Sequence, residues 1–376
     1  MSLIEFGTIM NLTKGKKPKN QFGEYKAGLM PYVDIKAFET GRIESYTDGE
    51  KCLPCKEGDI LIVCDGSRSG LVGKALNGYV GSTLAKISAE GLTQDYLYYF
   101  LQGQYALLNT KKKGTGTPHL NPELLRKQLI YVPSIEMQQR IVFRIEELFS
   151  ELDKGVETLQ TIKGQLAVYQ QTVLKNIFEN IVDTTRLDTV AFMIDPQPSH
   201  RTPPETVDGI SYIGIGDIDY AANRIDFASS RKVSPDVLKE HLLRYTLHDG
   251  DFVMGNPFRV VLPQDYALSA NVILIQPNKQ VIDPNYLFWQ FCSPYITEQL
   301  SKGSVATSQP AFGIKKARAL SIRICPMESQ AKIVEEIESR LSVCDSIEKT
   351  VDTALAQAEA MRQSILKKAF EGELCK

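Results

Sequence analysis

From Gln138 to Asn180 the chain reads QQRIVFRIEELFSELDKGVETLQTIKGQLAVYQQTVLKNIFEN. From Gln330 to Gly372 it reads QAKIVEEIESRLSVCDSIEKTVDTALAQAEAMRQSILKKAFEG. The two stretches align without a gap, and about 15 of the 43 aligned positions are identical, far more than chance provides. Such internal repetition indicates a duplicated architecture.

Both copies have the apolar spacing of an amphipathic helix, with apolar residues every three or four positions. A stripe of this length needs an apolar partner, and the other copy, packed antiparallel as in a coiled coil, is the most economical one. We predict helices of roughly 28 residues, with a break at Gly155 that leaves a short helix before the long one. The predicted packing residues are Ile141, Ile145, Leu152, Leu159, Leu166 and Val173 in the first copy and Ile333, Ile337, Leu341, Val351, Leu355, Met361 and Ile365 in the second.

The segments that precede the two helices also correspond. EGDILIV (57–63) matches DGDFVM (249–254), and DYLYYFL (95–101) matches NYLFWQF (285–291). Each segment mixes strand-like runs with a short helix, which predicts an α+β fold: two duplicated α/β domains separated by two long antiparallel helices in a pseudo-two-fold arrangement. This arrangement places the end of the C-terminal helix near the N-terminus. The predicted divisions are a domain at 1–134, a helical region at 135–182, a domain at 183–326 and a helical region at 327–376.

Composition indicates an ordinary globular protein, with 43% apolar residues, 23% charged residues and a formal net charge of −2. The near-neutral net charge gives no sign that the chain binds nucleic acid, although a local basic groove between acidic faces is compatible with such binding. No apolar run approaches the roughly 20 residues of a membrane span, and the N-terminus lacks the order of a signal peptide. Seven dispersed cysteines are typical of reduced thiols, so we expect a cytoplasmic protein with no membrane contact.

The stretch EGDILIVCDGSRSG, from Glu57 to Gly70, looks like a strand that leads into a phosphate-binding loop. It lacks the spacing of a P-loop and of a dinucleotide fingerprint. Asn256–Phe258 lacks the second proline of the catalytic loop of adenine methyltransferases. The CxxC at Cys52 and Cys55 has no further pair of ligands for zinc. We therefore expect no catalytic residues, no metal and no cofactor in this chain, and a binding function instead.

Basic and polar loops at corresponding places in both copies favour an anionic polymer. Lys, Ser and Thr contact phosphates, whereas Arg and Asn can read base edges. Arg68 is the main candidate for such a contact, with the neighbouring glycines allowing a close approach of the backbone to the ligand. The full set of candidates is Lys16, Lys17, Ser67, Arg68, Ser69, Lys74, Lys112, Lys113, Thr115, Thr117 and His119 in the first copy and Asn256, Arg259, Asn271, Lys302, Ser304, Thr307, Ser308 and Lys315 in the second.

Along essentially its whole length the chain resembles the specificity (S) subunit of type I restriction-modification systems. The resemblance is carried by GDILIVCDGSRSG, by the twin stretches VPSIEMQQRIVFRIEEL (132–148) and CPMESQAKIVEEIESRL (325–341), and by the helix endings LKNIFEN and LKKAFEGEL. The second copy departs from the pattern because it lacks the Gly-Ser-rich loop, and recognition residues of the family vary so much that no base contact can be transferred.

The resemblance implies two target-recognition domains, each of which reads one half of a split site in double-stranded DNA. It implies that the helix pair sets the spacer and docks two methyltransferase (M) subunits, that S-adenosylmethionine binds to those subunits, and that restriction (R) subunits can join. Two other classes compete with it. One is a self-contained DNA methyltransferase or nuclease, which needs the cofactor and catalytic motifs that are missing. The other is a structural coiled-coil adaptor with two heads that do not bind DNA.

Overall fold

A computed structural model describes residues 3–110, 118–197, 199, 201–219, 224–254, 256–303 and 313–374. The chain forms two compact units. The first comprises Met1–Gln160 and Asp352–Lys376, and the second comprises Thr161–Val351. Each unit therefore contains one globular part together with a segment from each of two long helices.

The elements of the first globular part, followed by the first long helix, are β1 (Leu3–Glu5), β2 (Met10–Lys14), β3 (Met30–Val33), α1 (Ile35–Thr40), β4 (Tyr46–Thr47), β5 (Pro54–Cys55), β6 (Ile60–Val63), β7 (Val72–Lys74), β8 (Gly78–Val80), β9 (Leu84–Ala89), α2 (Gln94–Thr110), α3 (Pro122–Arg126), β10 (Leu129–Tyr131) and the long helix α4 (Ile135–Glu179). The strands form two four-stranded sheets, ordered β2-β9-β6-β7 and β4-β3-β8-β5, while β1 and β10 form a separate antiparallel pair. The first sheet is antiparallel throughout, and the second contains the parallel pair β3 and β8.

The sequence ILIV of strand β6 is apolar at every position and does not alternate between apolar and polar residues. Successive side chains of a strand point to opposite faces. Ile60 and Ile62 belong to the core formed with α2 and the long helices, whereas Leu61 and Val63 belong to a second core beneath β3 and β8. Both faces of the strand are buried, so every position is apolar.

The second unit repeats this topology. Its elements are β11 (Thr184–Arg186), α5 (Leu187–Val190), β12 (Ala191–Ile194), β13 (Ile210–Ile213), β14 (Ile218–Asp219), β15 (Arg224–Ile225), β16 (Lys232–Val233), α6 (Pro235–Leu242), β17 (Phe252–Met254), β18 (Phe258–Arg259), β19 (Tyr266–Leu268), β20 (Ile273–Pro277), α7 (Pro284–Phe291), α8 (Pro294–Gly303), α9 (Ile314–Arg318), β21 (Ser321–Arg323) and the long helix α10 (Met327–Phe370). The sheet β12-β20-β17-β18 corresponds to β2-β9-β6-β7, the pair β11-β21 corresponds to β1-β10, and β13 pairs with β19 in parallel as β3 does with β8.

The long helices run antiparallel within each unit. In the first unit, residues near the start of α4 share a core with Leu366 and Phe370 at the end of α10. In the second unit, Leu174 and Phe178 near the end of α4 share a core with Ile337 near the start of α10. The predicted fold class, an α+β duplication joined by an antiparallel helix pair, is confirmed.

The predicted break at Gly155 is wrong, and so is the predicted helix length. Helix α4 has 45 residues without interruption and α10 has 44. Gly155 is exposed, and a β-carbon placed there meets nothing within 4 Å. A glycine inside a helix costs only about 1 kcal/mol relative to alanine, and the apolar stripe on both sides outweighs this cost.

Candidate nucleic-acid interface

A buried glutamine anchors α4 to the first globular part. Oε1 of Gln138 accepts a hydrogen bond from the backbone N–H of Thr93 at 2.8 Å. Its Nε2 donates to the carbonyl oxygens of Gly91 at 2.7 Å and Pro133 at 3.1 Å. Thr93 immediately precedes α2, so this one side chain fixes the start of the long helix to the start of α2.

Gln330, the duplicate of Gln138, makes the same attachment in the second unit. Its Oε1 accepts from the N–H of Asp283 at 2.8 Å, and its Nε2 donates to the carbonyl oxygen of Cys325 at 2.7 Å. Asp283 in turn caps α7. Both glutamines are fully buried. The glutamine in each duplicated motif is therefore part of the scaffold that joins helix to globular part.

In each unit, an aromatic pair joins the globular part to the end of the long helix that belongs to the other copy. The ring of Tyr96 in α2 lies 5.0 Å from that of Phe370 at the end of α10. In the second unit, Tyr286 lies 5.6 Å from Phe178 at the end of α4. Phe178 and Phe370 occupy equivalent positions of the duplicated stretch. The prediction that the end of the C-terminal helix lies near the N-terminus is confirmed, because Phe370 shares a core with Phe6.

Twelve of the thirteen predicted packing residues are buried or half-buried, and one is not. Met361 is 56% exposed, so its assignment to the helix contact is wrong. The next residue, Arg362, takes the inward position: its guanidinium lies 4.2 Å from the centre of the Phe149 ring and pairs with Asp153. The buried residues are Ile141, Ile145, Val173, Ile337, Leu341 and Val351, and the half-buried ones are Leu152, Leu159, Leu166, Ile333, Leu355 and Ile365.

The glycine-rich turn after β6 folds back on α2. Gly66 and Gly70 have φ values of +102° and +96°, which favour glycine. A β-carbon at Gly70 would lie 2.7 Å from that of Leu108. The side-chain amide of Asn109 donates to the carbonyl oxygens of Ser67 at 3.0 Å and Ser69 at 3.1 Å. The close backbone approach observed at Gly70 is therefore to the protein's own helix.

Ser69 does not present its side chain to a ligand. It is fully buried, and its hydroxyl donates to the carbonyl oxygen of Gly66 at 2.7 Å. Its prediction as a DNA-binding residue is wrong, because the hydroxyl completes the turn. Arg68 does project outward, with 57% of its side chain exposed, and it pairs with Glu39 of α1. Ser67 is exposed beside it.

A charged cluster connects three segments of the first unit. Nζ of Lys14, at the end of β2, lies 2.8 Å from Asp65, and Nδ1 of His119 lies 2.8 Å from the same carboxylate. Burial alone would raise the pKa of Asp65, but hydrogen bonds from Lys14 and His119 outweigh it and hold that pKa below its usual value. These three residues and Leu12, Cys64, Ala85, Leu120 and Pro122 line a cavity of about 350 Å³. The cluster places the start of the Lys14–Lys19 run beside the glycine-rich turn.

Two predicted DNA-binding cations contact a helix of the same unit. Lys74 in β7 pairs with Asp95 at 2.7 Å, and its Nζ lies 5.4 Å from the ring centre of Tyr98. Arg259 in β18 occupies the equivalent strand position, donates to the side chain of Asn285, and lies 3.9 Å from the ring centre of Phe288. Asn285, Phe288 and their counterparts Asp95 and Tyr98 share the aligned segments of α7 and α2.

Arg259 departs further from its predicted DNA-binding role than Lys74 does. Its side chain is half-buried, and burial lowers the pKa of its guanidinium. The face of the guanidinium lies against the Phe288 ring and one of its N–H groups donates to Asn285, so α7 holds the side chain in place. Sequence alone missed this role because the partners of Arg259 lie about 26 residues or more away along the chain.

The remaining candidates are mostly on the surface. Lys16, Lys17, Asn256, Lys302 and Lys315 are exposed. Asn271 is also exposed, although its side-chain oxygen accepts from the N–H of Ile215 at 3.4 Å and from Ser269. Seven candidates lie outside the described residues: Lys112, Lys113, Thr115, Thr117, Ser304, Thr307 and Ser308.

Among the residues that the structure describes, no group of three or more His, Cys, Asp or Glu side chains is arranged to hold a metal ion. Burial raises the pKa of both Cys55 and Cys64 to about 11, so these thiols stay protonated near neutral pH. None of the described helices combines the length and the apolar character that crossing a membrane requires.

The matching contacts in the two units define a class of protein in which two similar globular parts are each attached to the same pair of long helices. The family model of the type I restriction modification DNA specificity domain matches residues 1–163. The specificity subunit of the type I restriction enzyme EcoBI from Escherichia coli is 23% identical over 99% of this chain and 85% of its own length. The MjaVIII specificity subunit from Methanocaldococcus jannaschii is 23% identical over 90% of this chain and 85% of its own length.

A solved structure gives the same result at the level of fold. It comes from work on the complex assembly and conformational transition of the type I R-M system, with a TM-score of 0.70, 18% identity, and coverage of 99% of this chain and 98% of that chain. The resemblance expected from the sequence is confirmed: the chain is similar to the specificity subunits of type I restriction-modification systems.

Proposed function

We propose that this chain is the DNA sequence-specificity subunit of a type I restriction-modification complex, in which each unit reads one half of a bipartite target. One observation carries the proposal: both units share the buried glutamine, the aromatic closure and the cation held on α2 or α7, while their outer loops differ. A constant scaffold under different loops favours two different half-sites, so the target has little palindromic symmetry.

The helix pair supplies docking positions for two methyltransferase subunits in this proposal. Tyr169 in α4 and Met361 in α10 are equivalent residues of the duplicated stretch, and they are 48% and 56% exposed. Exposed apolar side chains at the same position of both copies suit two copies of one partner. The expected effect of Tyr169→Ser with Met361→Ser is weaker binding of both methyltransferase subunits, measured by native mass spectrometry. Retention of two tightly bound subunits would argue against these positions.

The chain itself contributes recognition rather than catalysis in this proposal. S-adenosylmethionine binds to the methyltransferase subunits, which methylate adenine, and restriction subunits can join the same cytoplasmic complex. Titration calorimetry with S-adenosylmethionine tests this division: we expect binding to the assembled complex and none to the purified chain. Binding to the chain alone would favour the competing class, a self-contained methyltransferase.

Helix length is the proposed ruler for the unread spacer. At about 1.5 Å per residue, the 45 residues of α4 measure about 68 Å. Inserting one heptad after Gln160 in α4 and one after Val351 in α10 adds about 10 Å, or about 3 base pairs. Both insertions keep the apolar stripe in register. Mapping of methylated adenines is expected to show a longer spacer between unchanged half-sites, and an unchanged spacer would contradict the ruler.

DNA binding separates this proposal from a coiled-coil adaptor. Phosphate contacts make affinity fall steeply with salt. The complex with methyltransferase subunits is therefore expected to bind its target duplex in a salt-dependent way. An adaptor with two protein-binding heads would show no such dependence.

A further inference from the structure

The segment between β2 and β3 of the first unit is a basic, aromatic surface loop. We name residues 15–29 the basic loop. It contains four lysines and a single carboxylate, Glu24, and every residue from Lys19 to Gly28 is exposed. Tyr25 is 66% exposed and Phe22 is 37% exposed. Large aromatic rings left in water between lysines are unusual in a surface loop, and they match the mixture of side chains that contacts nucleic acid.

The basic loop is held in place by its neighbours. Phe22 and Tyr46 exchange backbone hydrogen bonds of 2.9 and 2.8 Å. The side-chain amide of Asn20 donates to Asp48 at 2.8 Å, and the Tyr25 ring meets the edge of the Tyr46 ring at 5.6 Å. The loop is therefore attached to β4 and its following turn, so Tyr25 is presented from a fixed position. A pre-ordered contact loses less entropy on binding than a mobile one.

Two lysines of the basic loop are available for a ligand. Lys19 is paired with Glu50 at 3.3 Å. In the part of the chain that the structure describes, Lys16 and Lys17 are exposed and form no ion pair. They lie two and three residues after Lys14, which the charged cluster joins to Asp65 at the glycine-rich turn. The basic loop and the turn that carries Arg68 therefore begin at the same side of the first sheet.

The second unit has no counterpart of this charge. The equivalent segment, residues 195–209 between β12 and β13, reads DPQPSHRTPPETVDG. It contains one arginine against three carboxylates. The basic loop is thus a property of the first unit alone.

We propose that the basic loop is a duplex-DNA contact of the first unit, in which Lys16 and Lys17 bind backbone phosphates and the ring of Tyr25 contacts a base within the first half-site. This inference rests on the proposed function and adds residues to it. Lysines set register and affinity, whereas the aromatic ring contributes discrimination. The second unit has no basic loop, so changes in the basic loop affect recognition of only the first half of the target.

The lysine contacts are tested by equilibrium binding of the complete complex to its target duplex at 50 to 200 mM salt. Lys16→Gln with Lys17→Gln removes two phosphate contacts, which makes the slope of log affinity against log salt shallower by about 1.8. The ratio of wild-type to variant affinity then falls about twelvefold across that range. The matched control is Lys367→Gln with Lys368→Gln, which removes two adjacent exposed lysines from α10 of the same unit. An equal slope in the Lys16 and Lys17 variant and the wild type overturns the phosphate contacts.

The base contact is tested by adenine-methylation mapping with Tyr25→Ala and Tyr25→Phe. Loss of the ring is expected to relax discrimination at least about fivefold at one position of the first half-site, and Tyr25→Phe is expected to retain it. Unchanged selectivity in Tyr25→Ala, with normal assembly and thermal stability, overturns the role of Tyr25. If the wild-type complex fails to prefer its target over a scrambled duplex, the proposed function fails; if it does prefer the target but neither variant differs, only the basic-loop inference fails.

Discussion

Replacing Gln138 by alanine removes the attachment between α4 and the start of α2. Three backbone groups lose their partner: the N–H of Thr93 and the carbonyl oxygens of Gly91 and Pro133. A buried polar group left unpaired costs about 1–3 kcal/mol. Water that enters the space left by the side chain replaces some of the lost hydrogen bonds. We therefore expect the first unit to lose about 2–5 kcal/mol of unfolding free energy.

Hydrogen exchange of individual backbone amides measures this change directly. The Thr93 amide is expected to exchange faster in Gln138→Ala, because its acceptor is gone, while the Asp283 amide in the second unit keeps its protection. Urea denaturation followed at the first unit gives the free-energy change. The reciprocal variant, Gln330→Ala, is expected to expose Asp283 and leave Thr93 protected.

Gln139→Ala is the matched control, since Gln139 is the exposed neighbour of Gln138 in the same helix. Surface changes of this kind usually alter stability by less than about 0.5 kcal/mol. If Gln138→Ala behaves like Gln139→Ala, with Thr93 still protected, the glutamine does not anchor the helix and the reasoning is refuted.

Four further substitutions test the scaffold. Phe370→Ala is expected to destabilise the first unit by about 3–5 kcal/mol, and Phe178→Ala is expected to destabilise the second unit by a similar amount. Hydrogen exchange resolved for each unit measures both effects. If each substitution destabilised the opposite unit, the packing of each helix end in the unit of the other copy would be contradicted. Gly155→Ala is expected to stabilise α4 by up to about 1 kcal/mol in urea denaturation, and destabilisation would show an overlooked contact. Burial, with a smaller contribution from Arg244, lowers the pKa of His241 below 6.5. As the pH drops below about 6.5, the unfolded state therefore binds a proton before the folded state does, and the stability of the second unit falls. His241→Gln is expected to reduce the loss of urea resistance between pH 7.5 and 5.5, and an identical loss in the variant and the wild type would rule out this role.

The helix pair could be predicted because its signal is local and repeated. Apolar spacing and the duplicate together indicate a long helix, its partner and its direction. Gly155 misled the prediction because an intrinsic preference of about 1 kcal/mol is small beside the packing of a whole stripe. Met361 misled it because the inward position at that turn belongs to Arg362, whose partners Phe149 and Asp153 lie far away in sequence.

The binding surface was less predictable because exposure depends on tertiary contacts. Ser69 and Arg259 look like ligand-binding residues in sequence. The hydroxyl of Ser69 donates to the protein's own backbone, however, and the guanidinium of Arg259 packs on the Phe288 ring. The basic loop carried a readable signal, the alternation of lysines and aromatic residues in KGKKPKNQFGEYK. The sequence-based prediction includes Lys16 and Lys17 of this stretch but not Tyr25, since the exposure of Tyr25 depends on how β4 holds the loop.

The central claim is that this chain gives methyltransferase subunits their DNA sequence specificity through two different half-sites. Genome-wide mapping of methylated adenines in cells that contain the methyltransferase subunits, with and without this chain, tests it most directly. We predict methylation at a bipartite, non-palindromic sequence only when the chain is present. Methylation at the same sequence without the chain, or none with it, would contradict the claim.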